Sequence, residues 1–177
     1  MERERKFGPG RILLLLGRLV LAGIFIFAAY AKMKPQTQVP WSVASVRTSL
    51  AMFAMQVDSY QLLPTQFVSP AAHLLPPAEL LLGLWLLSGI GLRFSALATT
   101  LLVGLFFSVI VRTYAMGLEI NCGCFGPGEQ LGRMTLLRDG SFLALSLAVA
   151  IGAFLVHRAG RKRSAAPVAA AAADRAD

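Results

Sequence analysis

Residues 94–111 read FSALATTLLVGLFFSVIV and contain no charged side chain. A helix of this length can cross the hydrocarbon core of a bilayer, which is about 30 Å thick and needs about 17 to 25 residues. The whole chain has 177 residues, is 56% hydrophobic and has a mean hydropathy of +0.64. Because a soluble domain is normally much less apolar, the sequence predicts an integral membrane protein.

Three further segments are apolar and long enough to cross a membrane. With the first they predict four spans, at about residues 12–31, 70–92, 94–116 and 140–156. The second span is interrupted by His73, Pro76, Pro77 and Glu79, so its assignment depends on the uninterrupted apolar residues 80–92. The expected fold class is therefore all-α, an integral membrane four-helix bundle that occupies residues 11–157.

The distribution of basic residues predicts the orientation, because short loops rich in Lys and Arg stay in the cytoplasm. Ten of the 17 basic residues share one side if both termini are cytoplasmic: Arg3, Arg5, Lys6, Arg11, Arg93, Arg158, Arg161, Lys162, Arg163 and Arg175. Residues 1–10 then form a basic cytoplasmic end, and residues 158–177 form a basic, then alanine-rich and disordered, cytoplasmic tail.

The same distribution explains the net charge of +8. The basic residues cluster next to apolar runs rather than along a soluble face, which favours a role in topology and no nucleic-acid partner. A cleaved signal peptide is the alternative for the first span, which ends in Ala29-Tyr30-Ala31. Its apolar region is, however, longer than the roughly 7 to 15 residues typical of signal peptides.

The first extracytoplasmic loop, at residues 41–63, has an apolar pattern of its own. Apolar residues recur at intervals of four and three: Val46, Leu50, Phe53, Val57 and Tyr60. This spacing predicts an amphipathic helix that lies at the membrane interface or caps the bundle.

Cys122 and Cys124 are the two cysteines of the chain, and they lie one glycine apart in residues 121–126, NCGCFG. As a structural cross-link, so short a loop would contribute only about 1.6 kcal/mol by the chain-entropy relation. A disulfide across one residue is strained, and strained, exposed disulfides exchange readily. The spacing favours a redox pair on the extracytoplasmic side, with the turn residues 126–128 keeping it accessible.

Metal binding is the alternative role for the two cysteines. Structural zinc takes four ligands, and His73 is the one histidine expected on the same side, so the chain lacks a full ligand set of its own. A Cu(I) site with two thiolates remains an alternative, with further ligands from methionines or a partner.

Arg18 and Glu79 are ionisable residues inside predicted spans, where a charge costs about 2.5 to 3.5 kcal/mol on insertion scales. Each therefore needs a partner. Counting 1.5 Å per residue from the two ends of the membrane places them at similar depths, so we expect them to pair, with Lys32 and Arg138 as alternatives. A structural ion pair and a proton or quinone site are the two interpretations, and Pro76-Pro77 is expected to kink or break the helix beside Glu79.

Several of these segments together resemble the methylamine utilization protein MauE family, which is related to DoxX-like membrane proteins. They are residues 23–32 (GIFIFAAYAK), residues 60–64 (YQLLP), Glu79, and residues 121–126 followed by residues 137–139 (LRD). The resemblance implies a bacterial inner-membrane protein that supports maturation of a periplasmic, disulfide-rich enzyme, the light subunit of methylamine dehydrogenase. It also implies a periplasmic thioredoxin-like partner and the roles of Cys122 and Cys124 as the redox pair.

The favoured hypothesis is a membrane thiol-disulfide redox protein in which one cysteine exchanges with a substrate disulfide and the other resolves the mixed disulfide. The alternatives are a metal-binding, scaffold or transport component, and a quinone-linked oxidoreductase with a quinone near Glu79 and Arg18. The direction of electron flow does not follow from the motif, because it depends on reduction potentials.

Overall fold

The computed structural model describes residues 9–35, 40–118, 120–122 and 130–173, with side chains over 10–35, 40–118, 120–122 and 130–159. Five helices form there: α1 (Pro9–Met33), α2 (Val43–Ser59), α3 (Thr65–Ser88), α4 (Leu92–Ala115) and α5 (Arg133–Ala173). Within the described ranges the β-structure consists of one isolated antiparallel bridge, between Asn121 and Gln130. Helices α1, α3, α4 and α5 are long and apolar enough to cross a membrane, which confirms the all-α membrane bundle.

Two helices have different limits from those predicted. α3 begins at Thr65 rather than near residue 70, directly after Pro64 at its N-cap. α5 begins at Arg133 rather than at residue 140 and continues to Ala173, through residues expected to be disordered from Ser164 onward. Alanine has the highest helix propensity of all residues, so the low complexity of this tail does not prevent a helix.

Three prolines lie inside α3, at Pro70, Pro76 and Pro77, and the helix nevertheless runs without interruption. Each proline lacks the N–H that would bond to the carbonyl four residues earlier. Pro76-Pro77 therefore does not break the second span, and Glu79 sits on the same helix, two residues beyond Pro77.

The bundle is held together by small and branched side chains. α1 packs along α3, α4 packs along α5, α1 also contacts α5, and α2 lies against α3 and the end of α1. Six buried residues form the shared core: Leu21, Ala22, Leu86, Ala96, Val149 and Ala150. Only 22% to 33% of the most apolar stretch of each span is buried inside the bundle, so the rest presents an apolar surface suited to lipid.

The two ends of the bundle differ in what they carry. One end, called here the turn end, holds the tight turn Gly89–Gly91 between α3 and α4 and a contact between Arg93 and His157, whose Nη1 and Nε2 lie 2.8 Å apart. The opposite end, called here the loop end, holds α2 and the segment between α4 and α5. The candidate functional residues gather toward the loop end.

α2 presents the predicted apolar face to the bundle. Phe53 is buried, and Val46, Leu50, Val57 and Tyr60 are half-buried. Ser42 and Ser45 form a capping box at the start of the helix, which satisfies two otherwise unpaired N–H groups. The Ser49 hydroxyl donates to the Lys34 carbonyl at 3.0 Å, so α2 is fixed to the end of α1.

We expect Gly83→Ala to destabilise the bundle, because α1 and α3 approach closely there. A Cβ at Gly83 would lie 2.8 Å from Cγ1 of Ile26 and 3.2 Å from the carbonyl oxygen of Ala22. Overpacking of this kind typically costs about 1 to 3 kcal/mol. Gly23→Ala is the matched control, since a Cβ there meets nothing within 4 Å. Denaturant unfolding in detergent measures both; equal stabilities would contradict the close α1–α3 contact.

Candidate redox site and ion-pair cavity

Glu79 and Lys32 form a buried ion pair that joins α3 to the end of α1. Nζ of Lys32 donates to both carboxylate oxygens of Glu79, at 2.9 and 2.8 Å. The side chains are only 3% and 5% exposed. The same ammonium lies 5.4 Å from the ring centroid of Phe53 on α2, within the range of a cation–π interaction. One cation thus links α1, α2 and α3.

Arg18 occupies a different part of the bundle. Its guanidinium lies against Gly89, at the left-handed C-cap of α3 (φ 69°) in the turn end. Gly89 lies ten residues beyond Glu79, which corresponds to about 15 Å along the helix. Within the described part of the chain, the buried Nε of Arg18 has no hydrogen-bond partner. The structure therefore pairs Glu79 with Lys32, the alternative partner, and not with Arg18.

Arg18 and Glu79 lie at different depths because α1 and α3 are offset along the bundle. The predicted pairing required both spans to begin at the membrane surface, whereas α3 starts at Thr65 and extends past the end of α1 to reach α2. This offset brings Glu79 level with the end of α1, where Lys32 lies. It leaves Arg18 level with the last residues of α3.

Cys122 lies at the base of the loop between α4 and α5. The bridge between Asn121 and Gln130, with the bond from Leu131 N–H to the Ile120 carbonyl at 2.9 Å, brings the two ends of this loop together. Cys122 itself is only 3% exposed. The expectation that the turns keep it accessible is thus wrong for this cysteine. Cys124 lies outside the described residues.

Tyr60, the C-cap residue of α2, holds Cys122 in place. Its hydroxyl donates to the carbonyl of Cys122 at 2.7 Å, across 62 residues of sequence. The next residue, Gln61, has a φ of 50°, a left-handed conformation that is uncommon for residues other than glycine, asparagine and aspartate. This sharp turn ends α2 at Tyr60 and redirects the chain into α3.

A cavity of about 410 Å³ connects Cys122 with the ion pair. Its wall contains Cys122, Lys32 and Glu79, and most of the remaining lining is apolar, from α2, α3 and α4. A second cavity of about 60 Å³ lies on the other side of the pair, toward Asp139 and Phe142 of α5. The cysteine and the ion pair therefore face one shared apolar chamber rather than separate sites.

We expect Tyr60→Phe to loosen the base of the loop. Loss of one neutral hydrogen bond costs about 0.5 to 1.5 kcal/mol, which corresponds to a roughly two- to tenfold rise in transient exposure of Cys122. The rate of alkylation by a membrane-impermeant maleimide measures this exposure in a Cys124→Ser background, where Cys122 is the single thiol. Tyr114→Phe, on an exposed tyrosine of α4, is the control. Unchanged alkylation in Tyr60→Phe would contradict the positioning role.

Among the described residues, no group of three or more His, Cys, Asp and Glu side chains is arranged to hold a metal ion. His73, the histidine considered for such a site, is exposed on α3, and its Nδ1 lies 2.8 Å from the carbonyl oxygen of Ser69 one turn earlier. It does not line the cavity that holds Cys122.

Comparison with protein families gives a match over most of the chain. The family model described as methylamine utilisation protein MauE matches residues 10–156. The chain belongs to the MauE family. The MauE match spans all four membrane helices and includes Lys32, Glu79 and both cysteines. Neither the curated proteins nor the solved structures gave a match.

Membership in the MauE family, with four apolar helices, makes this a multi-pass membrane protein of a family named for methylamine utilisation. Two MauE site features were not assigned from sequence: the hydrogen bond from Tyr60 and the shared cavity. The segment YQLLP at residues 60–64 was part of the family resemblance, which was a signal for Tyr60. The cavity had no such signal, since it forms where residues of four helices and two connecting segments meet, between Lys32 and Cys122.

Proposed function

We propose that this MauE-family protein is a thiol-disulfide redox protein of the bacterial inner membrane, with Cys122 and Cys124 as its redox pair. It would support disulfide formation or maturation of a periplasmic enzyme. By the family resemblance, that enzyme is the light subunit of methylamine dehydrogenase, served together with a thioredoxin-like protein. The observation that carries the proposal is the placement of the buried Cys122, from the segment NCGCFG, beside an apolar cavity that also contains an ion pair.

The burial of Cys122 suggests different roles for the two cysteines. Exchange needs direct attack of one sulfur on another. Because Cys122 is only 3% exposed, a soluble protein cannot bring its own sulfur close enough to react with it. We assign exchange with extracytoplasmic proteins to Cys124. Cys122 then serves as the inner cysteine, which forms or breaks the disulfide with Cys124.

The proposed orientation places both termini in the cytoplasm and the loop end outside. It follows from the basic residues next to the turn end, among them Arg93 and Arg158, and from the rule that such residues stay cytoplasmic. In this orientation the helices contact the lipid bilayer, and the partners of the redox site are extracytoplasmic thiol proteins.

The test is transfer of a disulfide between the purified full-length protein and a defined probe, a synthetic peptide with two cysteines. Oxidised protein is mixed with reduced peptide, and the reverse, and thiols on both are counted by mass-tagged alkylation. We expect one peptide disulfide to appear for each protein disulfide lost. Cys124→Ser should abolish transfer to the peptide.

Two results would overturn the proposal. One is a pair that stays reduced in every mixture and becomes protected only on addition of Cu(I) or zinc, which is the behaviour of a metal site. The other is a reduced peptide that keeps both of its thiols when it is mixed with oxidised protein, which would show that the pair does not exchange. His73→Ala is the control, since His73 is exposed and outside the cavity.

A further inference from the structure

We propose that the cavity between Cys122 and the Lys32–Glu79 pair binds a lipid-soluble quinone, which accepts the electrons of the cysteine pair. The inference rests on the proposed function, because it needs a redox-active pair. It goes further by naming the chemical class of the second substrate and the direction of electron flow. With a quinone as acceptor, the protein acts as an oxidant of extracytoplasmic thiols.

The size and lining of the cavity fit an apolar ring. Its volume of about 410 Å³ falls within the roughly 300 to 1,000 Å³ typical of small-molecule sites, which combine apolar walls with a few placed polar groups. Phe53 of α2 and Phe106 of α4 supply aromatic surfaces. The polar residues of the lining are Lys32, Gln56, Tyr60 and Glu79. A charged or strongly hydrated ligand would find too few partners on these walls.

The position of the cavity also fits a ligand that arrives from the bilayer. The lining residues Phe106 and Ile110 lie about 21 and 27 Å along α4 from its start at Leu92, at 1.5 Å per residue. A hydrocarbon core is about 30 Å thick. The cavity therefore occupies the half of the membrane nearer the loop end, where α2 covers it.

The chemistry of the cavity walls also fits a quinone. Oxidation of two thiols forms the Cys122–Cys124 bond and releases two electrons and two protons, and a quinone takes up both to become a quinol. The Lys32 ammonium lies in the wall that also includes Cys122, where Glu79 balances its charge. A quinone carbonyl that approaches this ammonium gains an electrostatic contact for the oxyanion that develops on it. Glu79 keeps this ammonium in place through two hydrogen bonds.

The experiment uses the reduced full-length protein in lipid vesicles with decylubiquinone, whose fully substituted ring disfavours direct addition of thiols. Quinol formation is followed by absorbance, and disulfide formation by mass-tagged alkylation. We expect one quinol for each disulfide formed. Leu75→Trp, which places a large ring in the cavity wall, should slow this reaction by about tenfold or more, since misplacement of reactants by about 1 Å can cost a hundredfold.

Leu74→Trp is the matched control, because the neighbouring Leu74 is 69% exposed and does not line the cavity. Peptide exchange by each variant shows whether it is folded, and Ala71→Leu fills the same cavity with a smaller change if Leu75→Trp is not. No quinol from protein that still exchanges with the peptide would overturn this inference and leave the proposed function intact. Failure of both reactions would overturn both.

Equal quinone reduction in Leu75→Trp, Ala71→Leu and Leu74→Trp would also contradict the inference, since the thiols would then react outside the cavity. If the cavity holds only a lipid acyl chain, we expect either equal quinone reduction in the three variants or no quinone reduction. A reaction slowed in Leu75→Trp and Ala71→Leu alone would locate the quinone beside Cys122.

Discussion

Lys32→Met is expected to destabilise the protein by about 3 to 5 kcal/mol, the usual cost of removing one partner of a buried ion pair. The reason is that Glu79, which is only 4% exposed, loses both hydrogen bonds that its carboxylate accepts. Denaturant unfolding of the purified protein in detergent measures the change. Lys34→Met is the control, since Lys34 is exposed two residues further along.

The double variant Lys32→Met/Glu79→Leu separates the cost of leaving Glu79 unpaired from the stability that the ion pair itself contributes. Replacing a whole buried ion pair with apolar residues of similar volume is often neutral or stabilising, so we expect the double variant to be more stable than Lys32→Met. If Lys32→Met and the wild type unfold at the same denaturant concentration, the pair does not carry the stability assigned to it.

The double variant also tests function. It keeps a packed bundle but removes the charge beside the cavity, so we expect it to fold and yet to reduce decylubiquinone more slowly. Its exchange with the dithiol peptide should be unchanged, because that reaction takes place at the loop. A double variant with full quinone reduction would show that the charges of the pair are structural only.

Cys122→Ser is expected to lower the rate of disulfide transfer to the dithiol peptide by at least about a hundredfold, although Cys122 is buried and does not itself meet the peptide. Residues that act as one catalytic unit show grossly non-additive losses. Cys122→Ser, Cys124→Ser and the double serine variant should therefore be equally inactive. The assay is the alkylation count of thiols on protein and peptide.

The two single variants should differ in a second readout. With a one-cysteine peptide, capped as a disulfide with a small thiol, as probe in excess, Cys124 in the Cys122→Ser variant should form a mixed disulfide that persists, because neither the protein nor the peptide then holds a second thiol to resolve it. Cys122 in the Cys124→Ser variant should form little, since its sulfur is buried. Equal trapping by both variants would contradict the assignment of exchange with extracytoplasmic proteins to Cys124.

Hydropathy predicted the membrane bundle because length and apolarity alone decide whether a helix can span the bilayer. It predicted the helix ends less well. α3 begins at Thr65, directly after the N-cap residue Pro64. The mean hydropathy of the first half of this helix is lowered by His73 and Glu79, so hydropathy placed the start near residue 70. α5 begins at Arg133 because a helix can continue through charged residues such as Arg138 and Asp139, at which an apolar window ends.

The candidate site was less predictable, because it depends on the relative positions of distant elements. The sequence identified Cys122 and Glu79 as individual residues with unusual chemistry. It did not identify Lys32 as the first choice of partner, because the offset between α1 and α3 is set by packing such as that at Gly83. It also did not predict the burial of Cys122, whose contacts include a hydrogen bond from Tyr60, 62 residues away.

The most direct test of the central proposal is a redox titration of the purified full-length protein. The protein is equilibrated in buffers of defined potential, and Cys122 and Cys124 are counted with a mass-tagged alkylating reagent. We predict a reversible two-electron transition at roughly −100 to −250 mV, the range of known exchange proteins. Thiols that remain reduced across this whole range would contradict the assignment of Cys122 and Cys124 as a redox pair.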